Sequence, residues 1–274
     1  MKKTEIAGLL GLGAAAAGCA AYLWALAPGR CESARFAPFR GRYLAHRGLY
    51  DNETRPENSL GAFRAAAAAG YGAELDVRLT RDGICVVSHD SDLQRMTGRN
   101  VRVESLSYDE LQTFHLLGTE ESIPRLSAAL DILCSANVPV IIELKACRQW
   151  KKLCQLTLEC MDQHDGDLCV ESFDPRIVRW FRRRAPEVLR GLLTAQPEEL
   201  DQNPVKAFLS SRGLYNWMCR PQFIAHHVGR RSRSIRLAMA MGAKRVTWTA
   251  RDRSVEFESD AVIFERFLPP VHFR

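Results

Sequence analysis

Glu74 and Asp76 stand two residues apart in the apolar run 73–79, and Glu143 and Lys145 repeat that spacing around the end of the run 138–144. Residues i and i+2 of a strand point to one face, so each pair projects its charges together. His46 ends the run 43–45, and Trp248 lies near the end of 245–249. Charges on apolar strands are costly to bury unless they are paired or bind an ion. Three converging carboxylates, Glu74, Asp76 and Glu143, make a site for a hard divalent cation such as Mg²⁺ or Ca²⁺. An ion-pair network of Glu74, Asp76, Arg78 and Lys145 is the structural alternative. Each pair taken singly fits that alternative better; their joint placement at strand ends favours a site.

The elements that must position these residues alternate in type. Strand-like apolar runs recur at 43–45, 73–79, 138–144, 168–172, 189–194, 223–225, 245–249 and 261–264. Helix-like stretches lie between most of them. Residues 59–69 are Ala-rich and stop at Gly70, and Ser107 to Glu110 is a capping box opening a helix to Leu117. Asp174-Pro175 starts a helix over 175–185, and 232–241 stops at Gly242. Residues 80–83 form a hairpin turn into 84–88. Eight strands alternating with helices predict an α/β fold, a (β/α)8 TIM barrel over residues 41–274, with chemistry at the carboxyl ends of the strands. An open doubly wound sheet is the alternative, but no GxGxxG or GxxxxGK[ST] supports a nucleotide site on one. Little chain follows the eighth strand to form a closing helix.

Residues 6–27 are 22 residues without a charge. As a helix rising ~1.5 Å per residue, such a run spans the ~30 Å hydrocarbon layer. Lys2 and Lys3 precede it, Pro28-Gly29 closes it, and Tyr22 and Trp24 sit near its far end. The segment 1–30 therefore reads as a single membrane-anchoring helix; a cleaved signal peptide and lipidation at Cys19 compete with that reading. Lys2 and Lys3 against Arg30, Arg35, Arg40 and Arg42 lean toward a cytoplasmic barrel. Among the 274 residues, 46% hydrophobic and 26% charged exclude a disordered or collagen-like chain. The net charge of +6 suits an anionic partner, a phosphoester or a lipid surface. No aromatic interleaving or module signature points to nucleic acid. Nine cysteines without a CxxC pair read as free, mostly buried thiols.

The ordered motifs Ala45-His46-Arg47-Gly48, Arg55-Pro56-Glu57-Asn58-Ser59, Glu74-Leu75-Asp76-Val77, Asp82-Gly83 and Ser88-His89-Asp90 resemble the glycerophosphodiester phosphodiesterases. The resemblance continues through residues 93–98, 123–126, Glu143-Leu144-Lys145, Ser172-Phe173-Asp174-Pro175 and residues 246–249, covering 43–270. It implies a (β/α)8 barrel, one divalent metal, and hydrolysis of glycerophosphodiesters to glycerol 3-phosphate and an alcohol. Carried over residue by residue, Glu74, Asp76 and Glu143 match the family's metal ligands, and His46 and His89 its catalytic histidine pair. Arg47 and Lys145 match its phosphate-contacting cations, and Trp248 looks like the aromatic wall beside the glycerol. Glu57 is expected to support the metal or its waters. Residues 260–265 and 249–252 depart from the family's usual endings, which touches the last strand and the glycerol pocket.

Other readings stay beside these. A lysophospholipase D-like enzyme on lipid-borne substrates is a close variant, and a catalytically inactive binding or scaffold barrel belongs to another class. A phosphate-binding barrel of unrelated chemistry has no motif. His115, His164 and His272 read as surface or capping residues, and His226-His227 as structural or rim residues. Asp90 reads as a loop cap and Glu171 as a structural partner. The basic runs 182–184 and 230–233 are solvated helix faces by default, with anionic lipid headgroups as the sharper alternative.

Overall fold

The computed structural model describes residues 3–200 and 203–273, with side chains from residue 13 onward. Eight parallel strands close into a barrel: β1 Tyr43–His46, β2 Gly72–Leu79, β3 Val140–Leu144, β4 Leu168–Ser172, β5 Leu189–Thr194, β6 Phe223–His227, β7 Lys244–Ala250 and β8 Ala261–Phe264. Neighbours in sequence pair in order, and β1 closes the ring by pairing with both β8 and β2. Every strand expected from hydropathy forms. Residues 80–83 turn β2 into a short antiparallel partner, Cys85–Val87, as their sequence requires.

The outer layer follows local capping signals. Helix α1 is Lys3–Leu26 and α2 is Leu60–Ala68, whose N-terminal Ser59 hydroxyl accepts from Ala62 N. Then come α3 Leu126–Ser135, α4 Trp150–Met161 and α5 Pro175–Arg184; Asp174 caps α5 by accepting from Arg176 N. Helices α6 Pro204–Ser211, α7 Asn216–Cys219 and α8 Arg233–Ala240 complete the layer. Phe63, Leu130, Leu153, Ile177 and Phe181 pack from these helices onto Leu75, Ile142, Leu144 and Val170 of the strands, forming the main core.

The floor of the barrel, where strands begin, is plugged by the segment before β1. Phe36 and Phe39 pack on Leu44, Ile141, Leu189, Phe223 and Ile263. Gly191 is required beside this plug, because a Cβ there would stand 2.0 Å from the Phe223 ring. Among the described residues no helix follows β8. An extended tail takes its place: Tyr43 N donates to Val271 O at 3.0 Å, Phe273 N donates to Gly41 O at 2.8 Å, and the Phe267 and Phe273 rings meet Tyr43 edge-on.

One expectation is revised, and a second lies partly outside the described residues. The helix opened by Ser107 has its capping box but runs only Tyr108–Leu111. Leu117 then takes φ 52°, and Leu116 turns inward onto a cluster with Met96, Val103 and Ile123, so tertiary packing ends the helix early. The expected membrane span, 6–27, lies in helix α1 except for its last residue, but side chains 6–12 lie outside the described residues. Among the described residues, no helix is long and apolar enough to cross a membrane. All nine cysteines are free, five of them buried.

Candidate active site

Three strands deliver the acidic centre. Glu74 and Asp76 face inward from β2, Glu143 from β3, and Glu171 from β4, where it pairs in register with Glu143. All four are buried. One oxygen from each of Glu74, Asp76 and Glu143 lies within 4.8 Å of the others, so these three form a group able to hold a metal ion. Lys145 Nζ sits against the cluster, 2.6 Å from Asp76 Oδ1 and 2.7 Å from Glu143 Oε1. Arg47 adds a second cation: its Nε is 3.2 Å from Asp76 Oδ2 and its backbone N donates to Glu74 Oε2. Asn58 Nδ2 donates to Asp76 Oδ2 at 2.8 Å.

The electrostatics are uneven across the cluster. Burial, then Asp76 and Glu143, hold Glu74 well above the usual carboxyl range. Burial opposes ionisation of Asp76 too, but Lys145 and Arg47 outweigh it and hold Asp76 well below that range. Burial pushes Glu143 up against the pull of Lys145, and burial with Glu143 pushes Glu171 well up. Glu171 Oε2 is buried without a hydrogen-bond partner among the described residues. Four carboxyls thus face one ammonium and one guanidinium, and oxygen donors short of positive charge are what a hard divalent cation satisfies. The donor set fits Mg²⁺ or Ca²⁺ and contains no thiolate for a softer metal.

Both sequence-predicted histidines line the same cavity as the acids. It has a volume of about 630 Å³, opens at the carboxyl ends of the strands, and is also lined by Arg47, Lys145 and Trp248. His46 Nδ1 is 3.0 Å from Glu265 Oε2, and its Nε2 is 3.9 Å from Glu74 Oε2. His89 Nδ1 is 2.7 Å from Asp90 Oδ1. Hydrogen bonding to His46 holds Glu265 below the usual carboxyl range, and His89 does the same to Asp90, so both carboxylates only accept. Each imidazole therefore carries its proton on Nδ1 and turns Nε2 toward the cavity. Burial holds the His46 imidazole below its usual pKa despite Glu265.

Glu57 does not join the acidic cluster. Its carboxylate accepts from Arg47 Nη1 at 2.7 Å and from Arg95 Nη2 at 2.7 Å, and Arg95 Nε donates to Asp90 Oδ2 at 2.7 Å. The chain Arg47–Glu57–Arg95–Asp90–His89 links the phosphate-side guanidinium to the second histidine. Asp90, read from sequence as a loop cap, is thus the partner of His89. Gly48 makes the turn behind Arg47 possible: it has φ +81°, and a Cβ would meet Ala62 C at 2.9 Å.

Sequence reasoning missed Glu265 and placed Arg78 only in the ion-pair alternative. Glu265 lies just past β8 in the segment that departs from the family pattern; it also accepts from Tyr50 OH at 2.9 Å and from Arg251 Nη2 at 2.8 Å. Arg78 lines the cavity and donates from Nη2 to His89 O at 2.7 Å, fixing the His89 loop. Its i+2 spacing from Asp76 was the available signal. Trp248 Nε1 donates to Ala225 O, and the ring meets Phe173 edge-on at 5.5 Å and His227 at 4.8 Å. His227 is a rim residue bound to Glu199, while His226 is buried with Nδ1 at His227 O. His164 caps α4, with Nδ1 at Cys160 O.

Residues 46–267 match the model of the glycerophosphoryl diester phosphodiesterase family. A Mycobacterium tuberculosis protein named "Probable glycerophosphodiester phosphodiesterase 2" is 32% identical over 198 residues, which are 70% of this chain and 70% of that protein. Human glycerophosphodiester phosphodiesterase 1 is 29% identical over 160 residues, covering 54% of this chain and 47% of its own length. Among solved structures, a glycerophosphodiester phosphodiesterase from Thermotoga maritima superposes with TM-score 0.60 at 26% identity, covering 81% of this chain and 93% of that one. An Oleispira antarctica phosphodiesterase in complex with sn-glycerol-3-phosphate shares the fold with TM-score 0.69 at 24% identity, over 84% of this chain and 94% of its own.

Proposed function

This chain belongs to the glycerophosphoryl diester phosphodiesterase family and is a phosphoric diester hydrolase, and on that premise we propose that it hydrolyses glycerophosphodiesters to glycerol 3-phosphate and an alcohol with the help of one divalent metal ion. The observation that carries this reading is the convergence of three buried carboxylates and two carboxylate-oriented imidazoles on one cavity.

Glu74, Asp76 and Glu143 would hold the ion, Mg²⁺ or Ca²⁺. When bound, it supplies Lewis-acid charge to the phosphoryl oxygens. Lys145 spends two of its three N–H donors on Asp76 and Glu143 and keeps one for a non-bridging oxygen. Arg47 is held in place by Glu57 and offers the phosphate its planar fork. His46, held neutral by burial, acts as the base that takes a proton from the attacking oxygen. His89, with Asp90 to stabilise its charged form, gives a proton to the departing alkoxide. Trp248 forms the apolar wall beside the glycerol carbons. The fit extends to a lysophospholipid, whose headgroup ester has the same chemistry; a rat protein named "Lysophospholipase D GDPD1" is 33% identical over 120 residues, 39% of this chain and 37% of its own length.

Residues 1–30 would tether the barrel to a membrane, since the run 6–27 is uncharged and only the short plug segment separates it from β1. The cysteines and the basic residues after the run favour a cytoplasmic barrel.

A panel of glycerophosphocholine, other headgroup diesters and lysolipids, assayed with a metal series, tests the reading. Release of glycerol 3-phosphate that needs the ion supports it. Turnover that persists in excess chelator would remove the metal role, and inactivity on every diester would favour a binding barrel.

A further inference from the structure

We infer that the sector of the barrel floor around the exit of helix α1 is a docking face for an anionic lipid bilayer, so that the catalytic mouth faces water and takes its substrate from solution. This inference rests on the proposed membrane tether and adds an orientation to it.

The parallel strands fix which end is which. Their carboxyl ends carry the site, so segments that precede a strand lie at the opposite end. Helix α7 directly precedes β6, and the last turn of α5 directly precedes β5. Helix α1 is fastened there and nowhere near the mouth. Asn216 Nδ2 donates to Leu26 O at 2.9 Å, and Arg220 Nη1 donates to Trp24 O at 2.6 Å and Ala27 O at 2.7 Å. Gly29 N donates to Pro221 O and Gln222 Nε2 to Arg30 O. The uncharged segment is thus clamped to the floor by its last turn, while residues 13–24 stand exposed.

The surface around this clamp has the composition of a membrane interface. Tyr22, Leu23, Trp24 and Trp217 are exposed; Trp24 stacks on Trp217 at 6.4 Å and lies under the Arg220 guanidinium at 4.6 Å. Interfacial Trp and Tyr beside Arg match the headgroup layer. Arg182, Arg183 and Arg184 end α5 on the same rim, joined to α7 by Arg182 Nη1 donating to Met218 O. Arg30, Arg40, Arg183 and Arg184 are exposed and make no ion pair among the described residues. Of the acids near these residues, Glu32 pairs with Arg35, Asp260 pairs with Arg245, and Glu187 is exposed. Asp162, Asp165 and Asp167 lie before β4, to one side, so the approach is tilted toward β5 and β6. The run 182–184, which the active site leaves unused, thereby gains a partner of opposite charge.

The full chain is reconstituted with vesicles of phosphatidylcholine alone and of phosphatidylcholine with phosphatidylglycerol, and amide exchange is followed in both. Added protection is expected at residues 182–187 and 216–221 with the anionic vesicles and none at the mouth segments 88–102 and 195–200. Arg183→Gln and Arg184→Gln should each lower the added protection at 182–187 and 216–221 with anionic vesicles roughly five-fold, with melting and turnover of soluble diester unchanged. Lysolipid embedded in the same vesicles should not be hydrolysed. A chain that resists alkaline extraction yet shows protection at the mouth, or ignores lipid charge, overturns the orientation and leaves the tether standing. A chain that associates with neither vesicle overturns both.

Discussion

At the scale of single residues, the site is a set of side chains each held by another. Glu74→Gln or His89→Ala should lower turnover by ~10²–10⁴-fold while the melting temperature changes little, measured on the purified full chain; a variant that stays active leaves the mechanism. Glu265 is a positioning residue. Its negative charge raises the affinity of His46 for a proton, so Glu265→Gln should lower kcat roughly 10–100-fold and move the acid limb of the kcat/KM profile to lower pH. An unmoved limb would sever Glu265 from the chemistry. Glu57 is held on the guanidinium side of the site. Its position in Pro56-Glu57-Asn58 suggested metal support, whereas the fold sends its carboxylate to Arg47 and Arg95.

At the scale of elements, capping chemistry and steric fit dominate. Asp174 caps α5, and Asp174→Ala should cost about 1 kcal/mol of stability. The Asp174 carboxylate bonds to Arg176 and to neither histidine, so turnover should hold. Gly191→Ala puts a methyl group into the Phe223 ring and should cost ~1–3 kcal/mol through overpacking. Adding Phe223→Leu should recover part of that loss in a double-mutant cycle read by urea unfolding; additive losses would mean that the two sites do not touch. The strands were legible because burial on both faces writes them as apolar runs bounded by turn residues. The helix from Ser107 was legible only at its start. Its cap is local, but its end is set by Leu116 finding Met96 and Val103, residues that lie outside the helix on the preceding segment.

At the scale of the whole molecule, stability is coupled to the ion. Glu74 and Glu171 have raised affinities for protons in the folded state. Such acids destabilise the metal-free fold progressively as pH rises from their unfolded value of about 4.3 through the raised folded value. Asp76, Asp90 and Glu265 have depressed values, so their contribution is fully present above about 4.3 and is lost only as pH falls below it. His46 and His226 have lowered values and add stability as pH rises to about 6.5, so the raised acids act alone only above that value, and there the melting temperature of metal-free protein should fall. A divalent ion binds the ionised cluster, so its stabilising increment should grow over the same interval. Scanning calorimetry with and without metal checks this; an increment independent of pH would place the ion elsewhere.

The sequence by itself determined the eight strands, the acidic pairs on them and the ordered motifs, because strand periodicity and short-range spacing are local properties of the chain. Only the tertiary structure decided that Glu265 answers to His46, 219 residues away, that Asp90 answers to His89, and that the uncharged helix leaves from the floor opposite the mouth. Closing the barrel brings β8 against β1 and fixes which end of every strand faces which solvent, and no spacing along the chain encodes that meeting of its two ends.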